Sequence, residues 1–421
     1  MKNWYLHNGL VYRKNELRQE DVLILNGKIA AFGSKAQRLR KGFSQPIKDF
    51  SAHDSIISRG FIDLHVHLRE PGFTEKETIT TGTQAAAAGG FTSVYAMPNT
   101  NPPLDSVERF IEFQKQISAS AVVKVRPIGA LTKARAGKEL VDYAALRDVG
   151  VRFFSDDGEP LDTNLVIQAM ERLREVHGVL INHLEDKSLV RSGLFHQAIP
   201  AESEYHMLRR DLDAVAKTGC AYHAAHLSCF QSVDMIRKAK GQGLPVTAEV
   251  TPHHLVLTYD DIQEPQGHFQ MKPPLRSSFH REALVEGLRL GIIDIIATDH
   301  APHGREKEGA LTPNSPFGVT GLETAFPILY TRLVQTNALP LERLLYCLTT
   351  APAVISGEFR DLTEGEAGDI VVINLNQKRR VGERGFFSKG TNSPFVGEVL
   401  KGWPILTLVD GEERYQWDGG C

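Results

Sequence analysis

Phe61-Ile-Asp-Leu-His65-Val-His67-Leu-Arg69 is a short apolar run with two histidines, two residues apart, near its end. On a strand, alternate residues share a face, so both imidazoles can reach one point in space. A metal site needs that convergence. A lone His-x-His pair is more often polar decoration, so its weight depends on recurrence. Outward from it, similar apolar runs follow at Thr92–Asn99, Lys124–Thr132, Val151–Asp157, Val179–Glu185, Ala221–Ser228, Pro245–Pro252 and Asp294–His300. Periodic or alanine-rich segments separate them: Glu75–Ala88, Ser106–Ile117, Glu139–Asp148, Asn164–His177, Ala201–Thr218, Phe230–Lys240 and His280–Leu290. Eight such alternations predict an α/β fold with a parallel sheet closed into a barrel. An open doubly wound sheet is the alternative that the pattern leaves.

The two ends read differently. Residues 1–55 hold short alternating runs with turn signals at Asn8-Gly9 and Asn26-Gly27, as in antiparallel hairpins. Asp369–Asn374, Trp403–Val409 and the Asp410-Gly411 turn repeat that style near the C-terminus. The expectation is a small β-rich sandwich domain built from residues 1–55 plus 361–421, flanking a barrel of residues 56–360. Trp4 and Tyr5 are candidates for its core or for an interface.

Composition narrows the function classes. The chain has 421 residues, a formal charge of -3, 42% apolar residues and 24% charged ones. That balance offers no field for nucleic acid or a membrane surface. Cys220, Cys229, Cys347 and Cys421 are scattered without a C-x-x-C pair, which suits a reducing compartment. No apolar run approaches the ~18 residues of a spanning helix, and the N-terminus lacks a signal-peptide core. A cytoplasmic setting is the expectation.

In a parallel barrel the chemistry sits where strands end. Here those ends carry His65 and His67, Asp156 and Asp157, His183, His223 and His226, and Asp299, His300 and His303. Imidazole and carboxylate suit zinc and similar divalent ions. The surplus of ligand types over one tetrahedral set argues for two ions sharing a carboxylate. Each position also has a plainer reading. Asp156-Asp157-Gly158 can form a turn, His183 and His226 can be satisfied core residues, and Asp299 can cap a helix. His253-His254 is read as supporting. Ligand types at five of eight run ends favour the metal site over chance scatter.

These residues carry a resemblance to the dihydroorotases of the bacterial type I group, within the amidohydrolase superfamily. It rests on His65-Val-His-Leu-Arg-Glu-Pro-Gly72, Ala96-Met-Pro-Asn-Thr100, Ser155-Asp-Asp-Gly158, Thr247–His254, Ala297-Thr-Asp-His-Ala-Pro-His303 and Pro316–Phe326, with Ser388–Phe395 and Gly402-Trp-Pro404 near the end. The resemblance implies a distorted (β/α)8 barrel with a terminal β-domain. It implies two zinc ions, one held by His65, His67, Asp157 and Asp299, the other by Asp157, His183 and His226, with Asp157 bridging. No lysine stands in the Asp157 segment, so no carbamylated lysine is needed. The implied reaction is the reversible cyclisation of N-carbamoyl-L-aspartate to L-dihydroorotate in pyrimidine biosynthesis. In the opening direction a metal-bridging hydroxide would attack the ring amide, with Asp299 as general base and acid.

An anionic substrate needs a cationic clamp. Arg69 offers a fork matched to carboxylate, and the resemblance adds Asn99 and His303. Lys272, in Met271-Lys-Pro-Pro-Leu-Arg276, stands where the family usually has asparagine near the substrate ring. Gly304–Pro316 is long and polar and is a candidate lid. Two rivals remain: another cyclic amidohydrolase of the hydantoinase or allantoinase type, and a non-catalytic partner of aspartate transcarbamoylase. The second would require lost ligands, and none is lost. The residues decide neither a homodimer nor an aspartate transcarbamoylase complex.

Overall fold

Each apolar run between residues 61 and 300 forms a strand in the computed structural model, which describes residues 2–191, 193, 195–262, 267–304, 307, 315–358 and 361–419. Phe61–Val66, Phe91–Ala96 and Lys124–Pro127 make one parallel arc. Phe153–Phe154, Val179–Asn182, Ala221–Ala224, Val246–Val250 and Ile295–Ile296 make the other. Single parallel bridges, Val66 with His300 and Gly129 with Phe154, join the arcs at both seams. The eight strands thus form a distorted (β/α)8 barrel of TIM type, its seams narrower than full ladders.

The helices follow the expected segments. Ser106 caps Val107–Ser120 by accepting from Arg109 N, and Phe110, Phe113 and Ile117 form its buried stripe. Asp162 caps Thr163–Glu175, which buries Val166, Met170 and Leu173. Inside the ring pack Ile62, Leu64, Tyr95, Phe153, Ile181 and Ile295. A helix at Thr350–Ser356, which periodicity did not single out, adds Ala351 and Ala353 to that interior.

The first strand departs from plain alternation. Phe61 and Val66 belong to the outer core, whereas Ile62 and Leu64 belong to the inner one. A register irregularity between Asp63 and Val66 changes the phase. The interior side therefore runs Ile62, Leu64, then His65 and His67.

The termini build two sheets. One orders Lys28–Phe32, Val22–Leu25, Trp4–His7 and Lys48–Ser51. The other orders Glu412–Gln416, Val399–Val409, Ile370–Arg380, Ser55–Arg59, Leu10–Arg13 and Glu16–Gln19. Trp4, Leu6, Ile24, Ile57, Val372 and Leu406 interlock between them as a sandwich core. Trp4 is therefore core, 1% exposed. Two features differ from simple hairpins. Trp4–His7 pairs in parallel with Lys48–Ser51, and a helix, Gly33–Gly42, lies between the hairpin strands and that return. Ser55–Arg59 joins the terminal sheet although it straddles the expected boundary at residue 55/56. Most of the candidate lid, Gly304–Pro316, falls outside the described residues.

Candidate active site

The ligand-type residues meet at one end of the ring. His65 Nε2 lies 3.8 Å from Asp157 Oδ1 and 3.5 Å from Asp299 Oδ1. His67 Nε2 lies 2.9 Å from Asp299 Oδ1 and 3.7 Å from Asp157 Oδ2. His183 Nδ1 is 3.6 Å from Asp157 Oδ1 and 2.9 Å from His226 Nε2. All six residues are buried. Two subsets gather donor atoms within 4.8 Å of one another: His65, His67 and Asp299, and His65, Asp157 and His226.

The surroundings fix which nitrogens face inward. Glu249, buried in the seventh strand, accepts from His65 Nδ1 at 2.6 Å and from His223 Nε2 at 3.1 Å. His65 Nδ1 is therefore committed to Glu249, and Nε2 points into the cluster, where a cation can take the place of its proton. That Nε2 and His226 Nδ1 are buried without a hydrogen-bond partner. His67 likewise donates from Nδ1 to Asn99 Oδ1 at 3.0 Å. Its Nε2 and Asp299 Oδ1 then confront each other as two acceptors, stable only with a shared proton or cation. The donor set, its burial and these two unpartnered ring nitrogens fit a divalent metal centre.

Electrostatics agree. Burial raises the carboxylates, but the imidazoles outweigh it, so Asp157 and Asp299 sit well below the ordinary range. Burial lowers His65, yet Glu249, Asp299 and Asp157 push it up to about 10. His183 rises to about 9 against burial, through Asp157 and Glu185. Burial and then His183 hold His226 down at about 4. A cation bound here displaces those protons.

Adjacent aspartates diverge. Asp156 accepts from Leu131 N at 2.8 Å and from Thr132 N at 3.2 Å, and it also takes the Thr132 hydroxyl. It anchors the loop after the third strand. Asp157 alone turns to the histidines. Asp63 has a similar structural task, accepting from Thr298 Oγ1 at 2.6 Å and His65 N at 3.0 Å.

Arg69 and His303 meet beside the cluster. Arg69 Nη2 is 3.3 Å from His303 Nε2, and Arg69 Nε donates to Pro302 O at 3.3 Å. Burial and Arg69 lower His303 to about 3, so its imidazole is neutral. Asn99 bonds the cluster itself, through His67 and, at 3.4 Å, Asp157. Lys272 Nζ donates to Glu185 Oε1 at 3.1 Å and sits 4.6 Å over the Phe317 ring. Its charge is thereby shared with Glu185, two residues after His183. His254 Nε2 donates to the carbonyl of Pro273, the residue after Lys272, at 3.0 Å.

Sequence reasoning gave Glu249 and Asp63 no role. Their signal is a carboxylate inside an otherwise apolar strand, which burial tolerates only with committed partners.

Comparison with known proteins gives this geometry a lineage. A dihydro-orotase-like family model matches residues 54–232. A curated dihydroorotase from Bacillus cytotoxicus is 42% identical over 98% of both chains. One from Geobacillus is 43% identical over 98% of both, and one from Staphylococcus aureus is 43% identical over 98% of this chain and 99% of its own. The chain belongs to the dihydroorotase family. It is accordingly a cyclic amide hydrolase. Among solved structures, an L-hydantoinase (dihydropyrimidinase) from Arthrobacter aurescens superposes with a TM-score of 0.88 at 24% identity, over 99% of this chain and 96% of that one. A dihydropyrimidinase from Brevibacillus agri gives 0.85 at 21%, over 98% and 95%. These two share the fold of this dihydroorotase-family chain.

Proposed function

We propose that this chain is a zinc-dependent dihydroorotase that interconverts N-carbamoyl-L-aspartate and L-dihydroorotate in pyrimidine biosynthesis. One observation carries the substrate reading: a guanidinium, Arg69, lies against the neutral imidazole of His303 at the edge of a buried His/Asp cluster. A cluster alone suits any cyclic amide, whereas a cationic fork beside it suits a ring bearing a carboxylate.

His65, His67, Asp157 and Asp299 would hold one ion, and Asp157, His183 and His226 a second. When bound, the metal supplies an acidified water and polarises the amide carbonyl. Asp299 contacts His67 and faces His65; its carboxylate would take a proton from the attacking water and return it to the leaving nitrogen. Glu249 and Asn99 keep His65 and His67 aimed inward. Arg69 and His303 would bind the substrate carboxylate, and Asn99 and Lys272 would line the ring. We also propose the division into a terminal domain, 1–55 plus 361–421, and a barrel, 56–360.

Among the described residues no helix is long and apolar enough to cross a membrane. Cys220, Cys229 and Cys347 are buried free thiols, which fits a cytoplasmic setting.

The test is initial-rate turnover of L-dihydroorotate against hydantoin, dihydrouracil and allantoin, on zinc-loaded and chelated protein. The expected result is metal-dependent turnover of dihydroorotate alone. Preference for an uncarboxylated ring would move the chain to another amidohydrolase activity. Bound metal without turnover of any ring would favour a structural partner.

A further inference from the structure

The loop that carries His303, whose ring Nε2 bonds Phe317 O at 2.7 Å, is braced by a residue from far along the chain. Asn392 lies in Ser388–Phe395 and is 1% exposed. Its Oδ1 accepts from His303 N at 3.1 Å. Its Nδ2 donates to Ala301 O at 3.1 Å and to Gly318 O at 3.0 Å. Its carbonyl accepts from Thr320 N at 3.2 Å. One side chain thus ties the outgoing stem of the loop after the eighth strand to the returning stem. Ala301 N to Val319 O, at 2.9 Å, closes the same gap. The stems run too close for a side chain at Gly318. Its φ is +126°, and a Cβ there would fall 2.5 Å from Ala301 Cβ.

The segment that carries Asn392 is itself fastened. A Cβ on Gly390 would fall 2.6 Å from Pro302 Cβ, so this backbone rests on the residue whose carbonyl receives Arg69 Nε. Lys389 N donates to Glu77 at 3.2 Å, alongside the Ser388 hydroxyl. Phe387 N and Ser388 N donate to Glu323 at 3.0 and 3.1 Å. Glu77 also faces His300 Nε2 at 3.4 Å, one residue beyond Asp299.

We propose that Asn392 is a positioning residue for the substrate's carboxylate: by pinning both loop stems it holds His303 against Arg69. This rests on the reading of Arg69 and His303 as the carboxylate site. Removing the carboxamide strips partners from three buried backbone groups, and a displacement of about 1 Å in a positioning group is enough to cost a large factor in rate. Asn392 makes no bond to the His/Asp cluster, so substrate binding suffers more than chemistry.

The test is a double-mutant cycle of Asn392→Ala with His303→Ala, reading kcat and KM for L-dihydroorotate, bound zinc and the melting temperature. Asn392→Ala should raise KM about tenfold and change kcat by less than about threefold, with zinc content unaltered. In the His303→Ala background the same substitution should add less than about twofold. Asn392→Ser supplies one hydroxyl in place of the carboxamide, should give an intermediate KM, and serves if the alanine variant does not fold. Equal losses in kcat and kcat/KM at unaltered KM, or losses that multiply across the cycle, would overturn the proposal alone. An unaltered KM in His303→Ala itself would overturn the carboxylate reading and this proposal with it.

Discussion

The open end of the barrel and the terminal sandwich both bend their backbone into the left-handed region, but with different residues. In the sandwich most of the bends fall on asparagine or aspartate: Asn8 at φ 63°, Asn15 at 60°, Asn26 at 51°, Asp54 at 56° and Asp410 at 51°, with Lys14 at 53° the exception. Asparagine and aspartate adopt that conformation cheaply. At the barrel's open end the bends fall on Arg69 at φ 62°, His226 at 30° and Asp299 at 47°. Aspartate bends readily here too, but arginine has no local reason to, and such a residue costs about 1–3 kcal/mol. Where a turn only connects strands, the chain mostly selects the residue that bends easily. Where it presents a functional group, the chemistry selects the residue and surrounding packing offsets the strain.

The comparison can be broken first at Asp299. Asp299→Asn keeps the size and the left-handed backbone but removes the base, so turnover should fall by about 10³-fold or more while metal analysis finds zinc largely retained. Unchanged turnover would make Asp299 a mere bend. Glu249→Gln removes the charge that orients His65, and zinc affinity in a chelator competition should drop about 10–100-fold. An unchanged affinity would show that His65 needs no such partner. Arg69→Lys preserves charge but loses the planar fork, and KM for dihydroorotate should rise about tenfold with a smaller change in kcat. The sandwich supplies the smallest effect. Asn26→Ala should cost about 1 kcal/mol in denaturant unfolding, whereas Asn26→Gly should be near neutral, both with full activity. An equal cost for both would remove the conformational account of that turn.

Much of the barrel was legible because each strand is a continuous apolar run, and the helix Ala201–Thr218 matches its segment at both ends. The helix Gly33–Gly42 was not, because it is basic and buries only Ala36, leaving no apolar stripe. Parallel pairing of Trp4–His7 with Lys48–Ser51 has no local signature either. At the site, His65, His67, Asp157, His183, His226 and Asp299 were readable as ligand types at strand ends, and the structure brings them together. The bond that aims His65 was not readable, since Glu249 stands 184 residues away. Nor can spacing tell why Asp156 turns to the Thr132 backbone and Asp157 to the imidazoles.

The order of synthesis gives the Asn392 contacts another consequence. A growing chain holds every histidine and aspartate of the cluster once Asp299 has emerged, yet the loop stems beside it still lack their tie. The central strand of the larger terminal sheet, Ile370–Arg380, also arrives late, to pair with Ser55–Arg59 made long before. Fragments that stop short of Asn392 would carry the cluster without a properly held substrate clamp. On the proposed role of Asn392, tight substrate binding thus waits on a segment translated about ninety residues after Asp299.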